Sequence, residues 1–467
     1  MENNENTEIK TTSADSAKES PETKTAATGS KVVSSVEKAS SAKTGNTLMY
    51  KIIIICLLCY VGYMHFDAYN KAKAVKAAEQ AASAEAKQKD DADLKRGNEL
   101  FTQRHFMDAY AVFSKLAEKG IPEAQYRLAL MQLLKFSIGE NYPKAIENLK
   151  LASEKNLPDA IYNYGVVYEK GLGVDVNVEE AMKHYRRAAE LGDANAMNNI
   201  GAFYENATGV EKNMAEAKKY YEQAAEKSNI TAQINLGRLY ENGLGVPADA
   251  TEALKHYTVA AQNGSIVAQL KVADMYANGI GTEKDMQKAG TFYVMAADQG
   301  NADAQCSVGL MYFNGIGTER NYQNAIKYFK AAADQGNANA INNLGVILDN
   351  GFGVEVNSAE AAKFFRLAAE KGNYNALNNL ANLIEKGRGT DKDPATAARL
   401  YTMAANNGNV FSQFNLAKMY EEGAGVEKNL DEARKFYTMA ANQGHQGARE
   451  KLENMEKNKS KPKATKK

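Results

Sequence analysis

Thr231-Ala-Gln-Ile-Asn-Leu-Gly-Arg-Leu-Tyr-Glu-Asn-Gly-Leu-Gly-Val246 returns 36 residues later as Val267-Ala-Gln-Leu-Lys-Val-Ala-Asp-Met-Tyr-Ala-Asn-Gly-Ile-Gly-Thr282. Blocks of this kind recur nine times between Glu123 and Gln446 without insertion or deletion. A period of roughly 20–50 residues signals stacked supersecondary units rather than one globular core. Such stacks expose a long surface, which tilts the expected function toward binding.

Each block is counted here from zero at its first residue. Position 1 is Ala in eight blocks and Ser412 in the ninth. Position 5 is always apolar or aromatic, from Leu128 and Tyr164 to Leu416; position 6 is Gly or Ala; position 9 is Tyr in six blocks. This spacing predicts one face of a first helix, with small residues admitting a close neighbour. The helix ends at Gly-x-Gly, as in Gly171/Gly173, Gly243/Gly245 and Gly279/Gly281; the third block has Ala207 and Gly209. A phosphate loop needs a preceding strand and a unique site, whereas this pair recurs at every helix end, so it predicts a C-cap and turn. A second helix follows, with Ala at position 22 in all nine blocks. Position 26 is mostly aromatic (Tyr185, Tyr257, Phe329, Tyr437), and Ala-Ala occupies 29–30 except at Ala152-Ser153. Neither helix can bury its apolar face alone, so the units must stack.

The pattern Ala-x-x-Asn-Leu-Gly-x-x-Tyr-x-x-Gly-x-Gly-Val, then Ala-x-x-Tyr-x-x-Ala-Ala-x-x-Gly, resembles the Sel-one-like repeat family, a relative of the tetratricopeptide repeat. The resemblance covers residues 123–446 and implies a right-handed all-α solenoid that serves as an adaptor or scaffold. Lys135 and Ser137 depart from it where the first block's glycines would stand, as in a capping unit. The cysteine staples of one exported branch are missing.

Outside the repeats, residues 1–47 are polar and read as a disordered tail. Residues 48–66, Leu-Met-Tyr-Lys-Ile-Ile-Ile-Ile-Cys-Leu-Leu-Cys-Tyr-Val-Gly-Tyr-Met-His-Phe, read as a transmembrane helix with interfacial aromatics. A cleaved signal peptide would need a much shorter leader. A buried core helix would need something to cover four consecutive Ile. Lysines flank the segment on both sides, so positive-inside does not decide orientation. An uncleaved anchor that leaves the repeats on the exported, periplasmic or lumenal side is the simpler reading. Residues 67–92 predict a helical stalk, 93–122 a capping tetratricopeptide-like repeat, and 447–467 a closing helix with a basic tail.

Charge balances at 57 Lys+Arg against 57 Asp+Glu, which argues against a nucleic-acid binder. Three cysteines make no disulfide framework. His184 and His256 share position 25 two repeats apart, so they cannot share a metal and read as solvent-facing. Asp391-x-Asp393 lacks the rest of a calcium loop. No nucleophile motif stands out, and neither cofactor nor metal is expected.

The partner is expected to be a protein or peptide. By resemblance, the first helices line the concave face and position 4 holds a bound backbone. Here that position is Asn163, Asn199, Asn235, Asn343, Asn379 and Asn415, replaced by Arg127, Lys271 and Ser307 in the other blocks. An amide both donates and accepts, so an Asn ladder can grip an extended chain. Alternatively the amides bond the adjacent repeat. Repeats five and six break the polar face with Leu270, Cys306, Leu310 and Phe313, a candidate apolar hot spot. The expected function is a non-enzymatic, membrane-tethered scaffold. Rival readings are an exported or membrane-bound hydrolase of cell-wall or antibiotic substrates, and a soluble cytosolic regulator docking through its apolar segment.

Overall fold

The computed structural model describes residues 47–134 and 141–459. The leading tail, the Lys135–Ser137 departure and most of the basic tail fall outside the described residues. Those described form 21 helices and no strand. Helix α1 runs unbroken over Thr47–Thr102, joining what the sequence divides into apolar segment, stalk and start of the cap. It is followed by α2 (Phe106–Glu118), then nine pairs, α3–α20, from Pro122–Leu133 with Tyr142–Glu154 to Val410–Glu422 with Leu430–Asn442. Helix α21 (Gln446–Lys459) closes the chain.

The chain divides into two compact units at Lys95/Arg96. In the first, the described residues are one helical rod. Its apolar start is bare, with Ile55 59% and Phe66 64% exposed, and it is long and apolar enough to cross a membrane. The second is an α-solenoid of stacked helix pairs.

Local sequence explains each pair. The residue before every second helix is Asn or Asp, from Asn141, Asn177 and Asn213 to Asp393 and Asn429. Each side chain accepts a backbone N–H of the first turn. Such a cap stabilises a helix by about 1 kcal/mol. From the second repeat onward, first helices end in a left-handed residue, as at Gly243 (φ 65°) and Gly279 (φ 71°). Ala207 adopts the same conformation at φ 56°. The second glycine of each Gly-x-Gly has a further role: it lies against the preceding repeat. A Cβ on Gly281 would collide with the carbonyl of Ala250, and one on Gly425 with that of Pro394. The neighbouring backbone is tied there too, Thr251 Oγ1 donating to Gly281 O at 3.1 Å and Gln323 Nε2 to Gly353 O at 2.7 Å.

The core is a file of small residues and rings. Ala at positions 1 and 22 is fully buried, as in Ala232 and Ala253, and so are position-26 rings such as Tyr185 and Phe329, while Tyr293 is half-buried. Where position 6 is Gly, that ring lies on its backbone: a Cβ on Gly237 would stand 2.7 Å from the Tyr257 ring. The end of α1 and α2 repeat this packing across a three-residue connection instead of the usual seven. Gly97 there faces the Phe113 ring at 2.6 Å from its ideal Cβ.

Candidate partner-binding face

Four rows of side-chain bonds, three between successive repeats and one within the repeat, organise the first helices. In the first row, position 4 donates to position 3 of the repeat before. Asn163 Nδ2 reaches Tyr126 Oη at 3.2 Å and Asn199 Nδ2 reaches Tyr162 Oη at 3.4 Å. Asn235, Asn379 and Asn415 reach the Oδ1 of Asn198, Asn342 and Asn378 at 2.9, 3.0 and 3.3 Å. Asn343 Oδ1 accepts from Asn342 Nδ2. The ladder therefore spends its amides on stacking, and five of the six are engaged with the adjacent repeat.

The second row was not anticipated from the sequence. The position-26 tyrosine donates to a position-10 glutamate of its own repeat: Tyr185 to Glu169, Tyr221 to Glu205, Tyr257 to Glu241, Tyr401 to Glu385 and Tyr437 to Glu421, at 2.5–2.9 Å. A cation from the following unit completes three of them: Arg238 on Glu205 and Lys271 on Glu241, both at 2.6 Å, and Lys451 on Glu421 at 2.9 Å. Burial raises the Glu205 carboxyl pKa, but hydrogen bonds from Arg238 and Tyr221 outweigh it and hold the group below its usual range. Glutamate at position 10 always coincides with tyrosine at position 26 across the nine blocks, a covariation readable from the sequence.

A third row is buried: Gln269, Gln305 and Gln413 each donate to a carbonyl of the preceding helix and accept from Gln299, Gln335 and Gln443 at 2.8–2.9 Å. The fourth joins first-helix caps, with Asn229, Asn337, Asn373 and Asn409 donating to Asn195, Asp303, Asn339 and Asn375. Asp193 occupies this cap register at 9% exposure, and burial raises its carboxyl to about 6.

His184 and His256 are half-buried in aromatic contacts rather than solvent-facing. His184 lies 5.7 Å from the Tyr168 ring and 4.5 Å from Tyr164. His256 stacks on Tyr240 at 5.6 Å and bonds Gln233 Oε1 at 2.8 Å. The same stack is built by Tyr204 on Tyr220 and Tyr276 on Phe292, so position 25 is an aromatic packing site that happens to hold imidazole. Asp393 caps a helix through Thr396. Among the described residues no group of three or more metal-ligating side chains comes together.

The four apolar residues of repeats five and six do not form one exposed patch. Cys306 is 6% exposed, inside the core around Phe329, so it offers no surface anchor; burial, then Asp303, pushes its thiol pKa to about 11. Leu270 is half-buried on Ala296 and Val308. Phe313 is half-buried against Phe352 and Tyr322, at 5.3 and 5.5 Å. Leu310 is exposed, at 39%.

The profile described as Sel1 repeat matches nine segments that follow one another from residue 122 to residue 445. The chain belongs to the Sel1 repeat family. Among solved structures, this Sel1 repeat chain is 28% identical, with a TM-score of 0.51, to a protective antigen of uropathogenic Escherichia coli strains displaying an SLR fold; the match covers 80% of this chain and 89% of that one. A Sel1 repeat protein from Oxalobacter formigenes is 27% identical at the same TM-score, covering 66% and 90%. No curated protein matches the chain significantly. These Sel1 repeat structures agree with the stacked-pair solenoid described above. They say nothing about α1.

Proposed function

We propose that this Sel1 repeat protein is a membrane-anchored, non-catalytic scaffold that holds protein or peptide partners along the concave, first-helix face of its solenoid. The observation that carries the reading is the row structure of that face. Bonds between repeats tie positions 3, 4, 7 and 10 of successive first helices together, as at Asn198–Asn235, Glu205–Arg238 and Glu241–Lys271, so much of this polar surface is preorganised before any partner arrives. Five of the six position-4 Asn commit one N–H to stacking, and an amide has further donor and acceptor capacity with which to hold an extended chain. The bare apolar start of α1 supports the anchor; the exported side for the repeats is the simpler reading of an uncleaved anchor.

Two measurements test this. The protein should stay with membranes through alkaline carbonate extraction; release into the supernatant contradicts the anchor. Protease added to sealed membranes from the exported side should cleave the solenoid, and protection would reverse the orientation.

A further inference from the structure

The rows of the first-helix face are interrupted together in repeats five and six. Position 4 changes from Asn to Lys271 and Ser307, position 3 becomes Leu270 and Cys306, and position 10 loses its carboxylate to Ala277 and Phe313. The junction between position 10 of one repeat and position 7 of the next shows the effect. Between repeats three and four it is the Glu205–Arg238 ion pair at 2.6 Å. Between five and six the same register holds Ala277 and Leu310, and between six and seven Phe313 and Val346. This stretch of the face is therefore apolar, with Leu310 its exposed member; Leu133 and Val166 make the junction of repeats one and two apolar as well, but both are half-buried.

Charge around this stretch is unbalanced. Glu205, Glu241 and Asp349 are matched by Arg238, Lys271 and Arg388. Among the described residues, the side chain of Asp274, at position 7 of repeat five, accepts from the Tyr293 hydroxyl alone, and that of Asp303, at position 0 of repeat six, from the Asn337 amide alone. Both are exposed, and neither has a cationic partner among the described residues. Lys271, the nearest cation in sequence, is held by Glu241. Two carboxylates beside an apolar strip complement a partner that is apolar and cationic together.

Building on the scaffold reading, we infer that repeats five and six form the specificity-determining section of the face. It takes an extended peptide segment with an apolar side chain against Leu270, Ala277 and Leu310 and a Lys or Arg against Asp274 and Asp303. The remaining repeats supply polar contacts that do not discriminate sequence.

The test is selection of a phage-displayed random dodecapeptide library on the full-length chain in detergent micelles. It is repeated on Asp274→Lys/Asp303→Lys and on Leu310→Asp, with circular-dichroism melts to confirm that each variant is folded. All three positions are exposed, so the fold should tolerate them, and Asp274→Asn/Asp303→Asn serves as a milder pair. Peptides enriched on the natural chain should place Lys or Arg beside Leu, Ile, Met or Phe. On the charge-reversed chain the enriched residue at that place should become Asp or Glu. Leu310→Asp should weaken an enriched peptide by about 10-fold or more, as loss of a central anchor does. Binding should also weaken with salt, since exposed charges are screened within about 10 Å at 0.1 M.

Enriched peptides without a basic residue, or a preference that survives the charge reversal, overturn the inference while leaving the scaffold reading intact. Failure to enrich any peptide on the natural chain counts against both. A concentration-dependent self-association abolished by Leu310→Asp, without peptide enrichment, would assign the stretch to a second copy and overturn the inference.

Discussion

At the scale of the residue, the two glycines of each Gly-x-Gly have different duties and should tolerate substitution differently. Gly279→Ala keeps its space, with nothing nearer than 3.3 Å, but forces a left-handed alanine. Its cost should be about 1 kcal/mol. Ala207 already sits in that conformation, so Ala207→Gly should be neutral to stabilising. Gly281→Ala drives a methyl into the Ala250 carbonyl and should cost several-fold more than Gly279→Ala. Urea melts of the three variants check the order, and equal losses at 279 and 281 would contradict the inter-repeat contact. Tyr257→Phe removes a hydrogen bond to a carboxylate and should cost about 2 kcal/mol.

Two buried titrations act in opposite directions. The Asp193 carboxyl is raised to about 6, so its contribution is greatest below the ordinary value of 3.8 and is lost as pH climbs through 6. Asp193→Asn retains the cap, as Asn229 shows. It should stabilise by about 2 kcal/mol at pH 7, with the gain shrinking below pH 6. Burial lowers both His184 and His256, so their contribution holds above the ordinary 6.5 and is lost on acidification. His256→Phe, which copies Phe292, should flatten the fall of Tm below that pH. The sequence showed that these positions recur but not whom they touch. The partner of Asn235 lies 37 residues away, and the face on which His256 stacks exists only once two helices are packed.

At the scale of the element, the helices were legible because local and repeating signals coincide. The 36-residue register, the glycine stops and the buried Ala–aromatic file lead to the pairs found between 122 and 442. The cap at 96–118 was harder to read, since a connection of three residues in place of seven shifts its first helix out of register. Helix α1 shows where composition runs out. The apolar run, the stalk and the start of the cap are separate kinds of sequence, yet none contains a breaker, so one helix carries all three. Truncating the chain before Arg96 should leave the solenoid's melt cooperative, because Ala109, Phe113 and Leu116 bury their surface within the second unit. A non-cooperative melt of residues 96–467 would show that the rod contributes to the fold.

At the scale of the whole molecule, the repeat builds a solenoid from interactions that are individually small. Asn bonds and Gln-to-carbonyl bonds join many of the neighbouring units, and Tyr–Glu bonds tie the two helices within a unit. Regularity supplies the platform, and its interruption at repeats five and six supplies the part that differs. The most direct test of the central claim is site-specific photocrosslinking in native membranes. A benzophenone side chain would be placed at Leu310 or Asn382 on the first-helix face, and at Lys183 or Lys363 on the second helices. Discrete protein adducts from the first-helix positions alone are the expected result. Adducts of equal yield from both faces, or from the second helices only, would contradict the account.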